Sequence, residues 1–200
     1  SNDTIDINIT NSGTPPVFSA LSPDPDELAD SDGEFIRVYF PTSTDTSGWS
    51  INDDDSRGKT QLPSKELQGE VYFTRNKDEL TTQWGLDPSK VYEFDSTELA
   101  NGGEPLKLND SAGNIVDEVA YGSDKTSNGW NIGDSGDSVG AGDVAYRIKS
   151  EGGYEDTDSE SDWKVMSENA FFEGSIEGTV TDSRDSSGID GATVTVYKDD

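Results

Sequence analysis

The chain has no cysteine and no histidine among its 200 residues. Without cysteine there is no disulfide framework and no thiolate to bind a metal or attack a substrate. That absence assigns no compartment. Without histidine, the usual general base near neutral pH and the commonest transition-metal ligand are both missing. Basic residues are scarce as well: 14 Lys and Arg stand against 42 Asp and Glu, a formal net charge of −28. Phosphate backbones require clustered Lys and Arg, so the balance argues against a nucleic-acid partner. It argues equally against an anionic membrane surface. No apolar run reaches the roughly 20 residues of a membrane-spanning helix, so no membrane insertion is expected. No signal-peptide pattern opens the sequence, and Ser1 reads as a cut or processed end.

Hydrophobic residues make up 30% of the chain, low for a globular protein. Such a composition can mark disorder. Against this stand Trp 4, Tyr 7 and Phe 7, placed in short apolar runs cut by Gly, Pro and Asp. That pattern predicts a thin-cored, all-β domain. Self-repulsion among the acids destabilises a compact state unless salt screens it. A salt-adapted, haloarchaeal source explains the charge most simply; an acidic extracellular module or a calcium binder is the rival explanation.

The most informative stretch runs from Leu99 to Gly122. Leu106 and Leu108 alternate, and Ile115, Val119 and Tyr121 follow beyond Asn109-Asp110-Ser111-Ala112-Gly113-Asn114. Turn residues with a Gly able to take positive φ predict a hairpin. Asn101-Gly102-Gly103 predicts a second sharp turn. Elsewhere, Val17-Phe18-Ser19-Ala20 reads as the first strand and Glu34–Phe40 as the next, ended by Pro41. Trp49 and Ile51 share a strand face, as do Val71 and Phe73. Asn76 is placed to cap a short helix, Lys77–Trp84. Val91–Phe94 and Val144–Ile148 read as strands, and 123–142 as a Gly- and Asp-rich loop carrying Trp130. The expected core is Ile36, Val38, Trp49, Val71, Phe73, Leu106, Leu108, Val119 and Tyr121.

LANGGEPLKLNDSAGNIVDEVAYG, over residues 99–122, strongly resembles the lamin tail domain, an immunoglobulin-like β-sandwich. Gly33–Tyr39, Ser47–Ile51, Tyr72–Asn76 and Asp156–Trp163 fit the same family in order, so the resemblance covers 17–163. The chain departs from it at Arg37 and Phe40, where the family usually carries Glu and Asn, and the turn after that strand is expected to differ. The resemblance implies an immunoglobulin-like antiparallel sandwich with one short helix over 17–168, after an N-terminal extension, 1–16. Residues 175–200 resemble the first hairpin of a carboxypeptidase regulatory-like domain, with strands expected at Ile176–Thr181 and Ala192–Tyr197. A hairpin there would be a route to oligomers.

By resemblance, such modules are extracellular or cell-surface accessories of hydrolases, nuclease- or phospholipase-like, or parts of adhesins. Their partners would be proteins or glycans. The rival class is an enzyme, with its active site here or shared with another domain. Adjacent Ser64-Lys65 and Ser89-Lys90 lack the spacing of a Ser/Lys nucleophile motif, so no catalytic residue is expected. The sharpest metal candidate is Asp156, Asp158, Glu160 and Asp162, spaced by two like the start of a calcium loop. Ser161 and Ser167 occupy the positions where an EF-hand needs Gly and Glu. The pattern therefore admits only an irregular calcium site of oxygen ligands, and the competing reading is a solvated turn. Asp53-Asp54-Asp55 and the trio Asp134, Asp137 and Asp143 are weaker candidates of the same kind. Asn2, Asn8 and Asn109 begin glycosylation sequons of the sort a Ser/Thr-rich chain produces by chance.

Overall fold

Two turns and two strands organise the structure, a computed structural model that describes residues 14–53, 59–93, 98–136, 138–150 and 153–173. Asp110 closes the central hairpin: its carboxylate accepts from the N–H groups of Ala112 and Asn114, while Gly113 takes φ +82°. The preceding turn is pressed against the strand that follows. A Cβ on Gly103 would lie 2.2 Å from the Tyr121 carbonyl oxygen, and one on Gly122 would lie 2.4 Å from that of Gly102. Only glycine admits this approach of two backbones.

In chain order the strands are β1 (Val17–Ser22), β2 (Phe35–Asp45), β3 (Ser50–Asn52), β4 (Lys59–Gln61), β5 (Glu66–Thr74), β6 (Val91–Glu93), β7 (Pro105–Asn109), β8 (Ile115–Ala120), β9 (Asp143–Arg147), β10 (Lys149–Ser150), β11 (Gly153–Tyr154) and β12 (Trp163–Ser167). The helices are short: α1 (Asp30–Gly33), α2 (Lys77–Trp84) and α3 (Glu168–Glu173). Six strands form one sheet in the order β12-β9-β1-β2-β5-β6, and four form another, β4-β3-β7-β8. The fold is an all-β sandwich of immunoglobulin-like character. Between the sheets lie Phe18, Leu21, Ile36, Val38, Phe40, Ile51, Val71, Phe73, Leu106, Leu108, Val119 and Tyr121. The expected core residues are all buried except Trp49, which packs half-buried against that core.

α2 forms over the expected residues. Asn76 Oδ1 accepts the Glu79 N–H, and Gly85 ends the helix in the left-handed region. Because α2 carries the chain back to the end where β5 began, β6 pairs with β5 in parallel. The rest of that sheet is antiparallel. Pro41 does not end β2. It falls in the gap between the Phe40–Gly69 and Thr44–Leu67 pairs, where the ladder is interrupted and a proline costs no bond. Ile115 is 52% exposed. A register shift at Leu108/Asn109 sets Ile115 opposite Asn109, at the hairpin tip beyond the core.

The six-stranded sheet is covered on its other face too. Phe35, Tyr72, Leu80 and Val91 form a second buried cluster with Trp84, Phe171 and Phe172 against it. The Trp84 and Phe172 rings stack at 4.3 Å. This aromatic layer carries the packed unit to the end of α3. The alternating Ile5, Ile7 and Ile9, and the expected strands Ile176–Thr181 and Ala192–Tyr197, lie outside the described residues. Among the described residues no helix is long and apolar enough to cross a membrane.

Candidate functional site

The four carboxylates of the acidic segment lie at one end of the sandwich, and each faces a different way. Asp162 is 2% exposed. It accepts from the Thr157 N–H at 2.7 Å and the Thr157 hydroxyl at 2.8 Å, and forms a reciprocal capping box with Ser159 around the 3₁₀ turn Glu160–Asp162. Glu160 reaches away, to the loop that follows β8. One of its oxygens takes the N–H groups of Gly133 and Ser135 and the Ser135 hydroxyl at 2.7–3.1 Å. Asp156 meets Arg147 at 2.5 Å. Asp158 is exposed and takes φ 53°, a left-handed conformation Asp tolerates. Among the described residues no three acidic side chains are grouped to hold a metal ion. The period-two spacing belongs to a tightly capped turn, whose donors come from the chain itself.

Arg147, which the sequence reading did not single out, gathers this end of the molecule. It projects from β9 between the sheets, and its two terminal nitrogens and Nε all donate. Nη2 holds both oxygens of Asp117, on β8, at 2.9 and 3.1 Å. Nη1 serves Asp156 and the Glu155 carbonyl, and Nε serves the Phe18 carbonyl at 2.8 Å. The guanidinium lies 4.9 Å from the centre of the Trp163 ring. Asp117 also accepts the Phe18 N–H at 2.6 Å, a donor freed where β1 bulges between Phe18 and Ala20. The Arg147 and Asp117 side chains are each 1% exposed. Burial pushes the Asp117 carboxyl up to about 6, while Arg147 and the Phe18 N–H pull the other way. A charge pair this dry survives because nearly every donor and acceptor is matched. One signal for it is present in the sequence: Arg147 falls in step with Ala145, and Asp117 with Val119 and Tyr121, the core-facing residues of this part of the chain.

A second arginine occupies the opposite face of the same sheet. Arg37, on β2, is 9% exposed. It lies 4.8 Å from the Phe171 ring centre and donates to Ser19, Tyr72, Tyr154 and Glu70. Glu70 also receives the Tyr154 hydroxyl and Lys149. Burial opposes ionisation of Glu70, but Arg37, Tyr154 and Lys149 outweigh it and hold the carboxyl below its usual range. Arg37, one of the two positions at which the chain departs from the resembled family, thus anchors the outer aromatic layer.

A third polar centre lies beneath the Leu99–Gly103 turn. Glu34, 1% exposed, accepts the Leu99 N–H at 3.1 Å. Burial pushes its carboxyl up to about 7, against the lowering influence of that N–H and of Arg75. Glu104 accepts from the Ala100 N–H and the Tyr121 hydroxyl.

The remaining candidates are scattered. Asp53 is half-buried, and Asp54, Asp55 and Asp137 lie outside the described residues. Asp134 pairs with Lys125, and Asp143 accepts the Gly140 N–H. Lys65 lies over the Tyr92 ring, and Lys90 donates to the Gln68 carbonyl, so neither is directed at the serine beside it. Trp130 packs half-buried against the main core as a loop anchor. The Asn109 side chain is 8% exposed and bonded to Asn52 and Gly113, which removes it as a glycan acceptor. Asn2 and Asn8 lie outside the described residues. Compared with protein-family models and with curated protein sequences, the chain shows no significant match.

Proposed function

We propose that the chain is a non-catalytic, immunoglobulin-like accessory module of an extracellular or cell-surface protein, similar to the lamin tail domain. It works by presenting surfaces to protein or glycan partners beside a hydrolase or adhesin unit. One observation carries this reading: the buried ionisable groups are committed to the fold. Arg147, Asp117 and Asp162, and with them half-buried Glu160, direct their hydrogen bonds to the chain itself. Charges matched in this way hold the fold together. The acidic surface suits a salt-rich medium, and a two-sheet, immunoglobulin-like sandwich is the kind of fold the resemblance implies. The test is turnover of nuclease, phospholipase and glycoside substrates by the purified chain in molar KCl. Rates equal to the buffer blank are expected. Turnover that tracks the folded protein and disappears when it is heat-denatured would overturn the reading.

A further inference from the structure

The six-stranded sheet ends at β12, which pairs only with β9 among the described residues. The hydrogen-bond phase along this edge is fixed at both ends. The Ile148 N–H donates to the Asp162 carbonyl, and the Glu168 N–H donates to that of Gly142. An antiparallel ladder alternates, so the backbone groups of Lys164 and Met166 face β9, and the N–H and C=O of Val165 face outward. Beside this edge lies a cavity of about 300 Å³ whose lining includes Ile132, Glu160, Ser161, Trp163, Lys164 and Val165. Its apolar floor is continuous with the core, since Ile132 and Trp163 belong to the core and Val165 packs against it.

We propose that this edge is a peptide-docking site: an extended, cationic segment of a partner protein adds as a further strand beside β12. Its backbone pairs with Val165, and one aliphatic side chain enters the cavity over Ile132 and Trp163. Strand addition of this kind takes affinity from main-chain bonds and specificity from alternate side chains. Two features select the occupant. The cavity floor is apolar and fits an aliphatic residue. The chain carries 42 acids against 14 bases, so its field draws a positively charged segment and repels an acidic one. Lys164 is exposed at the edge, which favours uncharged Thr or Ser at the outward positions next to it.

The inference rests on the reading as an interaction module and is tested separately from it. The probe is the peptide Lys-Thr-Val-Thr-Val-Thr-Lys, capped at both ends and titrated into the isotope-labelled chain in molar KCl. Expected are amide shifts at Ile132, Ser135 and 163–167. Val165→Pro removes the outward N–H, and Ser161→Trp fills the cavity without touching the ladder. Each should weaken binding at least about tenfold, or about 1.4 kcal/mol. The same peptide with Glu at its ends should bind more weakly, and the gap should widen as salt is lowered. Shifts confined to another face would leave the module reading standing and overturn this site. So would unchanged affinity in the Ser161→Trp chain, or edge shifts that follow dilution of the protein alone, which would assign the edge to a second copy.

Discussion

Two arginines sit on the two faces of one sheet, and their surroundings are opposites. Arg147 lies between the sheets, held by two carboxylates, Asp117 and Asp156, and by backbone carbonyls, brought together from β1, β8 and the segment after β11. Arg37 lies outside, held by hydroxyls and flanked by Phe171, Tyr72 and Tyr154. If Asp117 is lost, the inner one keeps Asp156 on Nη1, but its Nη2 has no replacement, because the side chain is 1% exposed. The outer one lies among rings of which Phe171 is half-exposed while Tyr72 and Tyr154 are buried, and Glu70 beside it stays partly open to solvent. The difference teaches that charge number says little about role in this chain. What matters is whether the group can exchange its partners for water.

The comparison breaks most visibly at the inner pair. Arg147→Met or Asp117→Asn should each cost about 3–5 kcal/mol, because either leaves a buried charge or its bonding partners stranded. The double variant Arg147→Met/Asp117→Leu should recover a large part of that loss, measured as denaturant midpoints in molar KCl. If the single variants cost no more than exposed ones, the lock does not exist. At the outer face, Arg37→Met should cost only about 1–2 kcal/mol, since the methionine stem still packs on Phe171 and the Glu70 carboxylate reaches water. A loss equal to that at Arg147 would erase the distinction between the faces.

Glu34 sharpens the comparison through pH. Its folded-state value, about 7, lies above the ordinary 4.5. Its favourable contribution is therefore fully present below about pH 4.5 and lost as pH rises through 7. Between pH 8 and 5 the wild type should gain on the order of 2 kcal/mol relative to Glu34→Gln. Parallel stability curves for the two proteins would remove Glu34 as the cause. Smallest of all should be Asp158→Gly, at the exposed left-handed position. Relief of local strain and added chain entropy nearly cancel, so a change within about 0.5 kcal/mol is expected in thermal melts.

Local chemistry was legible in the sequence, and long-range pairing was not. Asn76 before Lys77–Trp84 and Gly113 in the hairpin act on neighbours a few residues away, and the structure has them in those roles. The capping relation of Ser159 to Asp162 is equally local, and the period-two spacing of acids around it does not reveal it. The Arg147–Asp117 pair spans 30 positions, and the β1 bulge that frees the Phe18 N–H leaves no turn residue to mark it. The parallel β6 depends on where α2 returns the chain, which no strand pattern encodes. Arg37 was noticed only as a departure from a family pattern. Its purpose required Phe171 and Tyr154, residues more than a hundred positions away.

The account stands or falls on whether the acidic segment serves the fold or a metal. Melting temperatures of the wild type and Asp162→Asn, each in molar KCl with calcium, with magnesium at equal concentration, or with chelator, decide it. The structure predicts that Asp162→Asn lowers the melting temperature by the same amount in all three conditions, and that calcium adds nothing beyond magnesium. A calcium-specific rise in the wild type that vanishes in Asp162→Asn would contradict it.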